Sequence, residues 1–173
     1  GTHIIRSQDQ GQNWEDVGPF LSGATGQVAN SNDPYVYVDP WTDRIMKFDM
    51  HALAVMFVEW SDNEGESWSL PFPASGVYTP QDHQSIASVP PGPDFSGPLF
   101  HETIYVFCIN TGAQGPIGAF CDTSLDGGVT WEGQVAGWPN GVLQCAGLHG
   151  HLIGADDGAI YRGNPSCDGP AAC

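Results

Sequence analysis

Five residues in three short clusters carry side chains suited to chemistry: Asp33, the neighbours Asp82 and His83, and the pair His149 and His151. Asp33 and Asp82 are the candidate catalytic pair, because two carboxyl groups held apart at a set distance do acid–base work on a substrate. His149-Gly150-His151 places two imidazoles on one face of a strand, which suits a metal ion. All five are candidate ligand-binding groups. Plainer readings stand beside these. Asp33-Pro34 also fits a turn before a strand, and His83 and His151 also fit half-buried hydrogen-bonding residues.

These clusters follow a repeat. Ser7, Asp9, Gly11 and Trp14 recur as Ser61, Asn63, Gly65 and Trp68, and again as Ser124, Asp126, Gly128 and Trp131, each spelling S-x-[D/N]-x-G-x-x-W. Successive Asp/Asn positions are 54 and 63 residues apart, and such long internal periods are a mark of repeat architectures. The chemistry is that of a tight hairpin. The third residue accepts bonds from following N–H groups, the glycine supplies a positive φ, and the tryptophan opens the returning strand. The candidate residues lie 24, 19 to 20 and 23 to 25 positions after the three Asp/Asn residues. That is where the innermost strand of the next unit is expected to begin, and where polar groups converge on a concave site.

The repeat resembles the Asp-box, or BNR repeat, of sialidase-like β-propellers. That resemblance implies all-β architecture, with four-stranded antiparallel blades and the box joining the third and fourth strands. It also implies that the boxes are scaffold, away from the catalytic face. Patterns similar to NDPYVYVD, DHQ and LHGH also occur in short bacterial sialidase-like relatives, so the resemblance covers most of the chain.

The expected domain is a single partial propeller over 1–173, with about three blades' worth of strands. Residues 1–18 read as a half blade, 31–72 and 82–134 as whole blades, 148–163 as a half blade and 164–173 as a tail. Within 31–72 the expected strands are 35–39, 44–48, 53–60 and 68–72. Within 82–134 they are 83–89, 103–109, 118–123 and 130–134. Propellers close with about four to eight blades. The expectation is therefore either an excerpt of a longer propeller, the preferred reading, or two copies completing each other's half blades. Gly1 is not a natural start, so a leader or preceding region is expected to be absent from this stretch.

A sialidase resemblance implies three arginines around a sugar carboxylate. Only Arg6, Arg44 and Arg162 exist here, and none stands in an Arg-Ile-Pro motif. The arginine requirement fails in this chain as given, though a missing remainder could supply it. The expected role is recognition or structure, binding a glycan or a protein, with exposed aromatic loops at Trp41, Phe95, Phe100 and Trp138 as contact surfaces. Glycoside hydrolysis is the alternative.

With 20 acidic residues against four basic ones and a net charge of −16, the chain is unsuited to nucleic acid. No apolar run reaches the length of a membrane span. The acidity fits a soluble extracellular surface; a Ca²⁺ or other divalent site is the sharper reading, and no other cofactor is expected. The five cysteines include no CxxC pair. Cys108 and Cys121 lie on consecutive expected strands and are the candidate disulfide, which points to an oxidising, secreted or cell-surface setting.

Overall fold

A computed structural model describes residues 2–19, 33–75, 81–111, 119–136 and 151–163. Every regular element among them is a strand. The first hairpin joins β1 (Ile5–Arg6) to β2 (Glu15–Asp16). A four-stranded antiparallel meander follows: β3 (Tyr35–Val38), β4 (Ile45–His51), β5 (Val55–Ser61) and β6 (Phe72–Pro73). The next sheet repeats that order with β7 (Gln81–Val89), β8 (Ile104–Thr111), β9 (Ala119–Ser124) and β10 (Glu132–Ala136). The last hairpin is β11 (His151–Gly154) with β12 (Ile160–Gly163). No helix among the described residues is long and apolar enough to cross a membrane.

Period-two alternation explains how the sheets stack. Met46, Phe48 and Met50 of β4 are fully buried, and with Met56 and Val58 they meet Ile86, Tyr105, Phe107 and Ile109 of the next sheet. The rings of Phe48 and Phe107 stack at 5.1 Å. The intervening residues of β4 face the first hairpin and are charged. Lys47 is buried between Glu59 and Asp49, its Nζ 2.6 Å from Asp49 Oδ2, and Thr2 donates its N–H and hydroxyl to Asp49. Burial raises the pKa of Glu59, against the pull of Lys47.

The second sheet uses its other face for the last hairpin: Ala87, Cys108 and Cys121 pack on Leu152 and Ile160. Cys108 and Cys121 stand directly opposite each other in the β8–β9 ladder and are joined by a disulfide. The strand edges β3, β7 and β11 lie side by side. Ser88 of β7 bonds Tyr37 of β3 through both its hydroxyl and its N–H, and Ser85 accepts from the Leu152 N–H of β11.

The expected strands recur with shifted ends. β5 begins at Val55, because Ala52 and Leu53 occupy left-handed turn positions. β6 covers only Phe72 and Pro73, since Pro71 and Pro73 lack the N–H a ladder needs. The tail 164–173 and Cys145, Cys167 and Cys173 lie outside the described residues.

Candidate functional site

The three S-x-[D/N]-x-G-x-x-W segments form nearly superimposable hydrogen-bond networks. In each, the serine hydroxyl donates to the Asp or Asn at 2.9 Å and accepts the glycine N–H at 2.7 or 2.8 Å. The Asp or Asn Oδ1 then accepts the N–H four residues on, from Asn13, Ser67 and Thr130. These bonds drive the Asp9 carboxyl down to about 2, the Asn13 backbone N–H contributing most. The glycines have φ of +87°, +91° and +101°. Each later turn leans on the preceding unit: a Cβ on Gly65 would meet Val17, and one on Gly128 would meet Met46. All three carboxylate or amide groups are engaged in holding their own turn.

The Asp/His cluster assembles at the opposite ends of the inner strands. Asp33, just ahead of β3, is half-buried, and its Oδ2 lies 3.8 Å from His83 Nδ1. His83 is the extra residue of a β-bulge: Asp82 pairs with Asn110 and Gln84 with Ile109, leaving His83 between them at φ +46°. Bulges re-aim a side chain, and this one turns His83 toward both neighbouring strand starts. Its N–H donates to Asp82 Oδ1 at 2.9 Å. The His83 and His151 rings meet edge to face at 5.7 Å. Burial pushes the Asp33 pKa above the ordinary carboxylate value; His83 pulls it back, and the charge of Asp82 adds to the rise. Asp33, Asp82, His83 and His151 are therefore brought together; His149 lies outside the described residues.

Among the described residues no group of three His, Cys, Asp or Glu side chains is placed to hold a metal ion. The arrangement is a carboxylate–imidazole patch open to solvent through His151. It can accept hydrogen bonds from hydroxyl groups, Asp33 and His83 standing 3.8 Å apart with no direct hydrogen bond between them.

Two residues near this patch are not among the five candidates, Gln84 and Arg162. Gln84 is buried and donates its Nε2 to the Asp33 backbone carbonyl. Arg162 on β12 donates Nη2 to Asn110 Oδ1 at 2.6 Å, beside the position of Asp82, and burial pushes its pKa down to about 10. The available signal was a run of polar residues at inward positions of β7, where Gln81, Gln84, Ser85 and Ser88 are all buried. Asp39 is a further buried carboxylate, accepting from Thr42, Ser88, Thr103 and Tyr105. Those bonds keep it ionised below the usual range despite burial, and its role is to tie β3 to β7 and β8.

Trp41 lines a cleft of about 240 Å³ at the far end of β3, β7 and β11, with Tyr37, Ser88 and Ile153. A larger cavity of about 520 Å³ lies at the third turn, lined by Phe100, Leu125, Asp126 and Thr130. Two carboxylates line it: Asp126 is occupied by Ser124, Val129 and Thr130, and Glu132 is exposed. Phe95 closes a local turn through its N–H on Gly92, and Trp138 lies outside the described residues.

No family model and no curated protein matches the chain. Solved structures do. A mutant of NanB sialidase from Streptococcus pneumoniae matches 92% of this chain at 18% identity with a TM-score of 0.57. A protein of unknown function from Dyadobacter fermentans matches 95% at 13% identity and 0.53. Trypanosoma rangeli sialidase in complex with the inhibitor DANA matches 95% at 12% identity and 0.46. The chain spans 23%, 43% and 25% of those three proteins. At such identities the likeness is one of fold, and the chain has a sialidase-like β-fold of antiparallel sheets.

Proposed function

We propose that the chain is part of an extracellular, sialidase-like Asp-box β-propeller, and that it recognises a glycan at the starts of β3, β7 and β11. The carrying observation is the convergence of Asp33, His83 and His151 from three adjacent inner strands. A propeller reading is supported by the face-to-face stacking of the sheets and by the three turns at one end of them. The first and last hairpins supply two strands each, so one further sheet is completed when a β1–β2-type hairpin pairs with β12, from other blades or from another chain. The extracellular reading is supported by the buried Cys108–Cys121 disulfide and the net charge of −16.

The recognition reading is tested on a glycan array with the whole chain, followed by Asp33→Asn and His83→Ala. Loss of the array signal in both variants supports the site. Unchanged binding by both removes it.

Glycoside hydrolysis is the second reading, favoured by two carboxyl residues, Asp33 and Asp82, at one site and by the burial that raises the Asp33 pKa. A panel of chromogenic glycosides separates the two. Turnover that vanishes in Asp33→Asn and Asp82→Asn supports an enzyme; binding without turnover supports a recognition module.

A further inference from the structure

We infer that the residues of this chain hold a sugar through its uncharged hydroxyl groups, an inference that rests on the glycan reading above. Among the described residues, acceptor groups line the site beside the imidazoles of His83 and His151, each of which can donate or accept. Gln84 is 2% exposed, and its Nε2 is fixed on the Asp33 carbonyl oxygen. That contact sets the orientation of the amide, because a flipped amide would oppose two oxygens. Gln84 Oε1 is then left buried without a hydrogen-bond donor among the described residues. The residue whose carbonyl it bonds, Asp33, carries a carboxylate, and the charge of Asp82 acts on that carboxylate. Three acceptor groups at the heads of adjacent strands ask for donors, and a ring of sugar hydroxyls supplies them. Gln84 Oε1 is buried, so it is reached through one water bridging to such a hydroxyl.

An acidic sugar asks for the opposite. Its carboxylate needs a guanidinium or ammonium group aimed at it. The chain has four such groups. Arg6 is bound to Glu15 and Glu64, and Arg44 grips Asp62 through two nitrogens. Lys47 is enclosed by Asp49 and Glu59. These three lie with the turns or inside the first sheet. Arg162 is the remaining cation; it is turned onto Asn110 and the disulfide sulfur of Cys121. An incoming carboxylate would also meet the charges of Asp33 and Asp82 on a chain of net charge −16. The likeness to sialidases is one of fold and brings no preference for an acidic sugar with it.

The test uses the full chain at pH 7 on an array of paired glycans that differ only in a terminal sialic acid, followed by titration calorimetry on the strongest pair. The expected result is binding of the neutral member, about tenfold or more weaker binding of its sialylated partner, and about a tenfold loss in Asp33→Asn. Equal or tighter binding of sialylated members, lost in Arg162→Gln, overturns the inference and leaves the glycan reading intact. Silence across every glycan overturns both. Neutral binding that survives Asp33→Asn unchanged overturns the assignment of these acceptors as the holding groups.

Discussion

Asp33 and His83 approach to 3.8 Å from different sheets, and each is held by backbone on its own side. The carbonyl of Asp33 is fixed by Gln84, and the backbone of His83 by a bulge whose N–H rests on Asp82. The carboxylate pays for this position: burial and Asp82 raise its pKa. An acid raised in the folded state has its full stability below the ordinary carboxylate range. It loses stability as pH climbs to the raised value, and stays penalised above it. Asp33→Asn is therefore expected to raise the melting temperature at pH 7 while weakening ligand binding, and to leave stability at pH 3 unchanged. Thermal melts at the two pH values check the sign.

Gly154 of β11 lies so close to β7 that a Cβ there would sit 2.1 Å from the Ser88 carbonyl oxygen. Gly163, at the other end of the same hairpin, has nothing within 4 Å of its would-be Cβ. Gly154→Ala is expected to undock β11–β12, costing about 2 kcal/mol or more in urea denaturation, while Gly163→Ala stays within about 0.5 kcal/mol. Amide exchange of Leu152, whose N–H is held by Ser85, reports the undocking directly.

The three turns predict opposite responses to one conservative change. Thr130 offers a hydroxyl to Asp126 Oδ2, and a hydroxyl can equally accept from an amide. The second turn already works this way, Asn63 donating to Ser67. Asn13 instead offers its own amide N–H to Asp9, so Asp9→Asn keeps that contact only with the Asn13 amide turned over, and loses the charge-assisted bonds to the carboxylate. Asp126→Asn is expected to cost less than about 0.5 kcal/mol, and Asp126→Ala about 1–2 kcal/mol. Asp9→Asn is expected to lower the melting temperature at pH 7. Because the folded Asp9 titrates at about 2, its contribution is present above the ordinary carboxylate value and fades as pH falls toward 2; the Asn variant lacks that acid limb.

The turns were legible in the sequence because the bonds made by their Ser and Asp/Asn residues run within four residues, whereas the Trp68 indole bonds the distant Val17 carbonyl. Strand alternation and the Cys108–Cys121 pairing were legible for the same reason: neighbouring strands follow one another in the chain. Contacts between sheets were not. The bulge at His83 depends on the register of β7 against β8, which no local pattern records. Arg162 reads as the end of a short strand until β12 is laid against β8 and β9. Asp39 reads as the residue before a Pro-Trp turn, and only packing brings Ser88, Thr103 and Tyr105 to it.

The ionic cluster under the first hairpin is equally invisible to local patterning, since Lys47 and Asp49 stand in an otherwise apolar strand. Removing its cation leaves two buried carboxylates facing each other. Lys47→Met is expected to destabilise by about 3–5 kcal/mol. Lys47→Met combined with Glu59→Leu should recover part of that loss, which a double-mutant cycle in urea measures.

The central claim is that ligand is held where β3, β7 and β11 begin. Hydrogen exchange of the whole chain, with and without the strongest neutral glycan from the array, tests it most directly. The account predicts added protection at 33–37, 81–86 and 151–153, and none at the three turns. Protection confined to the turns, to the Trp41 cleft or to the cavity beside Phe100 would contradict it.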